Sequence, residues 1–101
     1  MFNITRSSEL EEFANTLATD IEKRYPPSLD NTPSKHPSVN RLTRIMEDIC
    51  QKASSFQSTH RLGWINKARL ANKFKWKLKD MGYSEKFIEF ATEAIVIHMN
   101  K

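Results

Sequence analysis

Residues 61–82, RLGWINKARLANKFKWKLKDMG, decide the fold of this chain because they form an amphipathic helical pattern with two distinct faces. At about 100° per residue, the spacing of an α-helix, apolar side chains collect on one side of this stretch. They are Leu70, Ala71, Phe74, Leu78 and Met81. The opposite side carries Arg69, Asn72, Lys73, Trp76 and Lys79. The first face predicts burial in a core, and the second face, an indole among cations, predicts a binding surface.

The same stretch holds the basic excess of the protein. It contains seven basic residues and one acidic residue, a net charge of +6, although the whole 101-residue chain carries only +4. The segments on either end, residues 1–37 and 83–101, are both slightly acidic. A local positive field of this kind attracts a polyanion or an acidic patch on another protein.

A first helix is predicted ahead of a proline-rich segment. Ser8 and Glu11 have the spacing of a capping box, which predicts that the helix begins at Ser8. The helix must end by Tyr25, because two prolines follow it. All four prolines of the chain lie within residues 26–37. This segment is either a connection between helices or, with Leu29 and its polar neighbours, part of a binding site.

Ser38 is suited to cap a second helix. Its apolar stripe consists of Leu42, Ile45, Met46, Ile49, Ala53 and Phe56, with Cys50 beside them. The basic helix that follows begins after Ser58, Thr59 or Gly63, and the sequence leaves these alternatives open.

The end of the basic helix is better defined than its beginning. Gly82 just past the apolar stripe predicts a Schellman stop, in which Leu78 and Tyr83 form the accompanying apolar contact. Ser84 then caps a last helix that runs from Glu85 to about residue 99. That helix is apolar over much of its circumference, so it is either the most buried helix or one that reserves a flank for a partner.

These patterns predict an all-α fold, a single domain over residues 1–101, built as a bundle of about four helices with a Pro-rich loop between helices one and two. Hydrophobic content of 39% and charged content of 28% are ordinary for a globular protein. No apolar run approaches the roughly 20 residues that cross a bilayer, so no membrane association is predicted. The N-terminus has no secretion signal pattern, and the lone Cys50 fits a reducing cytoplasm.

The sequence contains no recognisable catalytic, cofactor or metal pattern. His36, His60 and His98 are far apart in sequence, and Cys50 has no partner cysteine, so we predict no metal site. Cys50 falls on the inward flank of its helix, where thiols are usually inert. The two glycines, Gly63 and Gly82, form no phosphate-binding loop. We therefore expect a binding protein that is not an enzyme and carries no cofactor.

The candidate partner-binding residues lie on the basic helix. They are Arg69, Lys73, Trp76, Lys77 and Lys79. In this interpretation Trp76 is an anchor surrounded by cations, since Trp and Arg dominate interface energetics. Two alternatives remain open: a solvated face on which the indole covers neighbouring apolar surface, or a central helix whose Ile65 and Trp76 are also packed.

The chain resembles the small immunity proteins encoded beside bacterial polymorphic toxins, especially those of contact-dependent growth inhibition systems. The resemblance covers the size, the all-helical pattern, the lone cysteine, YPPSL at residues 25–29 and RLGWINKARLANKFKWKL at residues 61–78. It implies a cytoplasmic protein that binds one cognate toxin domain, commonly a nuclease, and blocks its active site or substrate groove. The family shares no universal binding motif, so it assigns no residue here.

One feature departs from that resemblance. Immunity proteins of basic nucleases are frequently acidic, whereas this chain has a cationic helix. Either the toxin presents acidic groups to that helix, or contact runs through the first and last helices. Those helices carry the carboxylates Glu9, Glu11, Glu12, Glu85, Glu89 and Glu93.

Nucleic-acid binding by the basic helix, residues 61–82, is the alternative function. The sequence pI of about 9.4 and the clustered Lys and Arg residues favour it. The helix has no short glycine turn and partner helix ahead of it, as a helix-turn-helix motif would. Its lysines outnumber its arginines, which indicates nonspecific attraction to phosphates more than base reading.

Overall fold

The computed structural model describes residues 2–35 and 37–100, with the side chains of residues 2–6 and 35 left aside. Four long helices dominate it: α1 (Phe2–Arg24), α3 (Val39–Thr59), α4 (Trp64–Met81) and α5 (Glu85–Met99). A one-turn helix, α2 (Pro27–Asp30), and a 3₁₀ turn (Pro33–Lys35) lie between α1 and α3. The described residues include no β-strand. The predicted all-α bundle is confirmed, and the proline-rich segment contains short helical turns where a loop was expected.

The start of α1 differs from the prediction. The helix begins at Phe2, six residues before Ser8, so the prediction that Ser8 caps it is wrong. Residues 2–7, which precede Ser8, contain neither glycine nor proline, so no residue there stops the helix from extending toward the N-terminus. The other end is as expected: α1 stops at Arg24, immediately before Tyr25 and the two prolines.

The four long helices form two layers, one of α1 and α3 and one of α4 and α5, with α4 packed on α1 and α5 on α3. Ion pairs join α1 to an antiparallel α3: Arg24 meets Asp48 at 2.8 Å, and Lys52 meets Asp20 at 2.9 Å. After the Gly82 corner, α5 runs antiparallel to α4, since Lys67 near the start of α4 donates to Asn100 just past the end of α5 at 3.3 Å. The outward surface of the second layer is therefore formed by α4 and α5 side by side.

The core contains the apolar stripes that the sequence predicts. Leu70, Phe74 and Leu78 of α4 have no exposed surface, and Met81 packs against the core with partial exposure. The stripe of α3 is also inward, and Cys50 is buried beside it. Burying such a side chain stabilises the fold by roughly 1.5–3 kcal/mol, so these stripes supply the main driving force for folding.

The proline-rich segment is held against the corner between α4 and α5. Asp30 accepts hydrogen bonds from the Tyr25 hydroxyl at 2.8 Å and from the Ser84 backbone N–H at 2.7 Å. The Asn31 side chain donates to the Gly82 carbonyl at 2.9 Å, and the Tyr83 hydroxyl donates to the Tyr25 carbonyl at 2.6 Å. Burial, followed by the hydrogen bond to Asp30, raises the pKa of the Tyr25 hydroxyl well above its usual value. These hydrogen bonds connect the segment after α1 to the corner between α4 and α5.

Gly82 adopts the left-handed conformation that the predicted Schellman stop requires, with φ of 96°. Its N–H donates to the Lys79 carbonyl at 3.0 Å, and the N–H of Tyr83 donates to the Leu78 carbonyl at 3.3 Å. Gly63, the N-cap of α4, has an ordinary φ of −76° and no atom within 4 Å of an added Cβ. The two glycines therefore offer a matched pair of substitution sites.

We expect Gly82→Ala to lower the free energy of unfolding by about 1–2 kcal/mol, because a side chain at positive φ is strained. Gly63→Ser is the control, and it should leave stability unchanged or raise it by a few tenths of a kcal/mol through N-capping. Urea unfolding followed by circular dichroism measures both. Equal losses in the two variants would contradict a special conformation at Gly82.

Candidate functional site

The outer face of α4 is the surface formed by Ile65, Arg69, Asn72, Trp76 and Lys79. These residues follow one another at three- and four-residue steps, so they share one side of the helix, opposite the core stripe. All five are exposed. Trp76 is 50% exposed and Ile65 is 51% exposed, so neither is packed into the core. The predicted outward position of Trp76 is thus what the structure shows.

A cation lies over the indole of Trp76. The Lys79 ammonium is 4.9 Å from the ring centroid, within the range of a cation–π interaction. Such an interaction at an exposed site contributes roughly 0.5–1 kcal/mol and holds the ring in one orientation. Neither Arg69 nor Lys79 forms an ion pair with a described residue. Their charges are therefore available to a partner.

The other two predicted site residues point elsewhere. Lys73 and Lys77 lie on the side of α4 that faces α1, and both pair with Glu11, at 3.3 and 2.6 Å. Hydrogen bonds from Lys77 first and Lys73 second hold the pKa of the Glu11 carboxyl below its usual value. The side chain of Lys73 is 25% exposed and that of Lys77 is 29% exposed, so both are partly buried. These two lysines join α4 to α1, so the five predicted residues divide into an outer group of three and an inner pair.

The last helix also exposes apolar side chains. Phe90 and Ile97 are 50% and 58% exposed and lie one heptad apart on one flank of α5. Most of its other large apolar residues are buried in the core. The interpretation that this helix reserves a flank for a partner is therefore compatible with the structure. This flank is a second surface to compare with the outer face of α4.

Two exposed apolar residues of α4 were not among the predicted site residues. Ile65 lies within about 20° of Trp76 around the helix, so the helical spacing contained the signal for it. Trp64 is 78% exposed at the first position of α4. Trp64 occupies this position because α4 begins after Gly63. The sequence left three possible starting points for this helix.

Of the three histidines, His60 and His98 have structural partners, and His36 lies outside the described residues. His98 lies with its Nδ1 2.9 Å from the Ala94 carbonyl, and His60 stacks on Phe56 with ring centroids 4.0 Å apart. Within residues 2–35 and 37–100, no three His, Cys, Asp or Glu residues are grouped as metal ligands. None of the helices in that part of the chain is both long enough and apolar enough to span a membrane.

Fold and surface together define a class: a small all-helical bundle that presents a half-exposed tryptophan among cations without ion pairs. Comparison with known proteins does not assign the chain to a family. No protein family, no curated protein and no solved structure matches the chain.

Proposed function

We propose that this chain is a protein-binding module, an immunity protein that neutralises a cognate bacterial toxin domain and has no enzymatic activity of its own. The observation that carries the proposal is the half-exposed Trp76 on the outer face of α4, beside Arg69 and Lys79. Large aromatic and Arg side chains supply most of the binding energy in protein interfaces.

The charge of this surface defines the partner's chemistry. Arg69 and Lys79 have no intramolecular ion pair with a described residue, so acidic groups on a partner can meet them directly. Trp76 requires an apolar pocket between those acidic groups. The complementary surface is therefore an acidic rim around an apolar depression, which the toxin domain would present to α4.

The resemblance to immunity proteins supplies the finer proposal. It implies a nuclease toxin whose active site or substrate groove is blocked, and a cytoplasmic location for the complex. Cys50 is the single cysteine of the sequence and is buried, which is compatible with a reducing compartment. If the proposal is right, the reading frame immediately upstream encodes a large secreted protein with a variable C-terminal domain.

We expect Trp76→Ala to weaken binding of that C-terminal domain by about 2 kcal/mol or more, roughly 30-fold in Kd. Phe90→Ala is the matched control, because Phe90 is also 50% exposed but lies on α5. Isothermal titration calorimetry of the purified domain against each variant measures both. If Phe90→Ala weakened binding and Trp76→Ala did not, the toxin domain would contact α5, and the assignment of the contact to α4 would be contradicted.

Nucleic-acid binding is a second candidate function, because Arg69, Lys75 and Lys79 are exposed and form no ion pair with a described residue. A protein making about six phosphate contacts loses roughly a thousandfold in affinity between about 50 and 200 mM salt. A toxin interface governed by a buried anchor changes far less over that range. Absence of binding to random duplex at about 50 mM salt would eliminate this second candidate.

A further inference from the structure

The outward surface of the α4–α5 layer is indented along the line between the two helices, and we term this indentation the α4–α5 groove. It consists of two adjoining cavities of about 350 and 390 Å³. Lys75 and Thr92 line both cavities, so the two lie next to each other along the helix pair. The groove lies beside the outer face of α4, and Lys79 borders both surfaces.

The two ends of the groove differ in chemistry. One end is mostly apolar, with Trp64 78% exposed and Val96 36% exposed. Lys67 and Asn100 also line it and are hydrogen-bonded to each other at 3.3 Å. The other end has two charged walls of opposite sign. The α4 wall carries Lys75 and Lys79, and the α5 wall carries Glu85, Glu89 and Glu93.

The charges of the two walls do not neutralise each other within the molecule. None of the five groups forms an ion pair with another described residue. The groove therefore offers a cationic strip and a parallel anionic strip, both available to an occupant. A partner with the same two strips in the reversed order would complement them.

We propose that the occupant of the α4–α5 groove is a second copy of this chain. In a symmetric dimer both copies contribute the same surface to the interface. The direction of the two-fold axis decides which helix of one copy contacts which helix of the other. With the axis parallel to the helices, α4 of one copy lies over α5 of the other at the same level along the groove. Lys75 and Lys79 then face the carboxylates of the second copy, and Trp64 faces Val96.

The charge pattern selects this axis over the other symmetric arrangement. An axis perpendicular to the helices and through the middle of the groove would lay α4 over α4 and α5 over α5 with their directions reversed. The charged end of each copy would then face the apolar end of the other, and its charges would meet no opposite charge. Helices of this length give a face of roughly 25 by 20 Å, or about 500 Å² per copy. This is below the roughly 800 Å² per partner of a standard interface, so the dimer is weak and concentration-dependent.

Sedimentation equilibrium of the full chain tests the proposal. At about 50 mM salt, we expect the mass to rise from 11.8 kDa toward twice that value between about 5 and 500 µM protein. The double variants Lys75→Glu/Lys79→Glu and Glu89→Lys/Glu93→Lys should each weaken association at least tenfold. An equimolar mixture of the two variants should form a heterodimer. The first variant carries carboxylates on both walls, and the second carries lysines on both walls, with Glu85 as the one remaining carboxylate.

A further pair of variants tests the apolar end. Trp64→Ala should weaken the dimer about tenfold, because it removes the largest apolar side chain at that end of the groove. Val39→Ala is the control and should leave association unchanged, because Val39 is similarly exposed, at 80%, but lies at the start of α3 away from the groove. Circular dichroism of every variant verifies that the helical fold is retained.

Several outcomes would overturn the proposal. They are a wild-type chain that stays at 11.8 kDa up to about 500 µM, a variant mixture that does not associate, or dimerisation of the charge variants as strong as in the wild type. The inference does not rest on the proposed function. A monomer that still binds a toxin domain overturns only the dimer, and a dimer that binds none overturns only the proposed function.

Discussion

Phe74→Ala is expected to lower the free energy of unfolding by about 3–5 kcal/mol, the range found when a buried phenylalanine is truncated. Phe74 is at the centre of the apolar stripe of α4 and has no exposed surface. Truncation removes most of a buried aromatic side chain and leaves a cavity that the neighbouring helices fill only partly. Urea unfolding followed by circular dichroism measures the change.

Trp76→Ala is the control for that loss, because Trp76 is two residues away on the same helix and also aromatic. Its indole is 50% exposed, so we expect a loss of stability of about 1–2 kcal/mol, made up of partial burial and the contact with Lys79 and clearly smaller than that of Phe74→Ala. Comparable destabilisation by the two substitutions would mean that the indole belongs to the core. In that case Trp76 could not be the anchor of a binding surface.

Asp30→Ala is expected to lower the free energy of unfolding by about 2–4 kcal/mol, because the carboxylate accepts hydrogen bonds from two other parts of the chain. Such charged bonds each contribute about 1.5–3 kcal/mol, and the partial exposure of Asp30 lowers their sum. One bond comes from the Tyr25 hydroxyl and the other from the Ser84 N–H at the start of α5. Removing the carboxylate leaves both donors without this acceptor in a partly buried region.

Two further variants make the Asp30 prediction specific. Asp30→Asn retains one acceptor oxygen of similar shape and should lose about half as much stability as Asp30→Ala. Asp80→Ala is the exposed control and should change stability by less than about 0.5 kcal/mol, since Asp80 has no ion pair with a described residue. A loss for Asp30→Ala no larger than for Asp80→Ala would show that the proline-rich segment does not fasten the α4–α5 corner.

The helical pattern determined which face of each long helix is buried. Helical periodicity is a local property, and the stripe of α4 from Leu70 to Met81 faces the core as the spacing predicts. The stops and caps are also local: Ser38 caps α3, and Gly82 ends α4 in the left-handed conformation. The exception is Ser8, where a capping pattern lies inside a helix that has no residue to break it.

The tertiary structure alone decided which charges remain available for binding. Lys73 and Lys77 belong to the same basic segment as Arg69 and Lys79, yet they pair with Glu11, which lies more than 60 residues away in the sequence. Helical spacing gives the direction of a side chain relative to its own helix. It contains no information on which neighbouring helix supplies an opposite charge, because that depends on how the helices pack. For the same reason the α4–α5 groove, with a wall from each of two helices, exists only in the folded bundle.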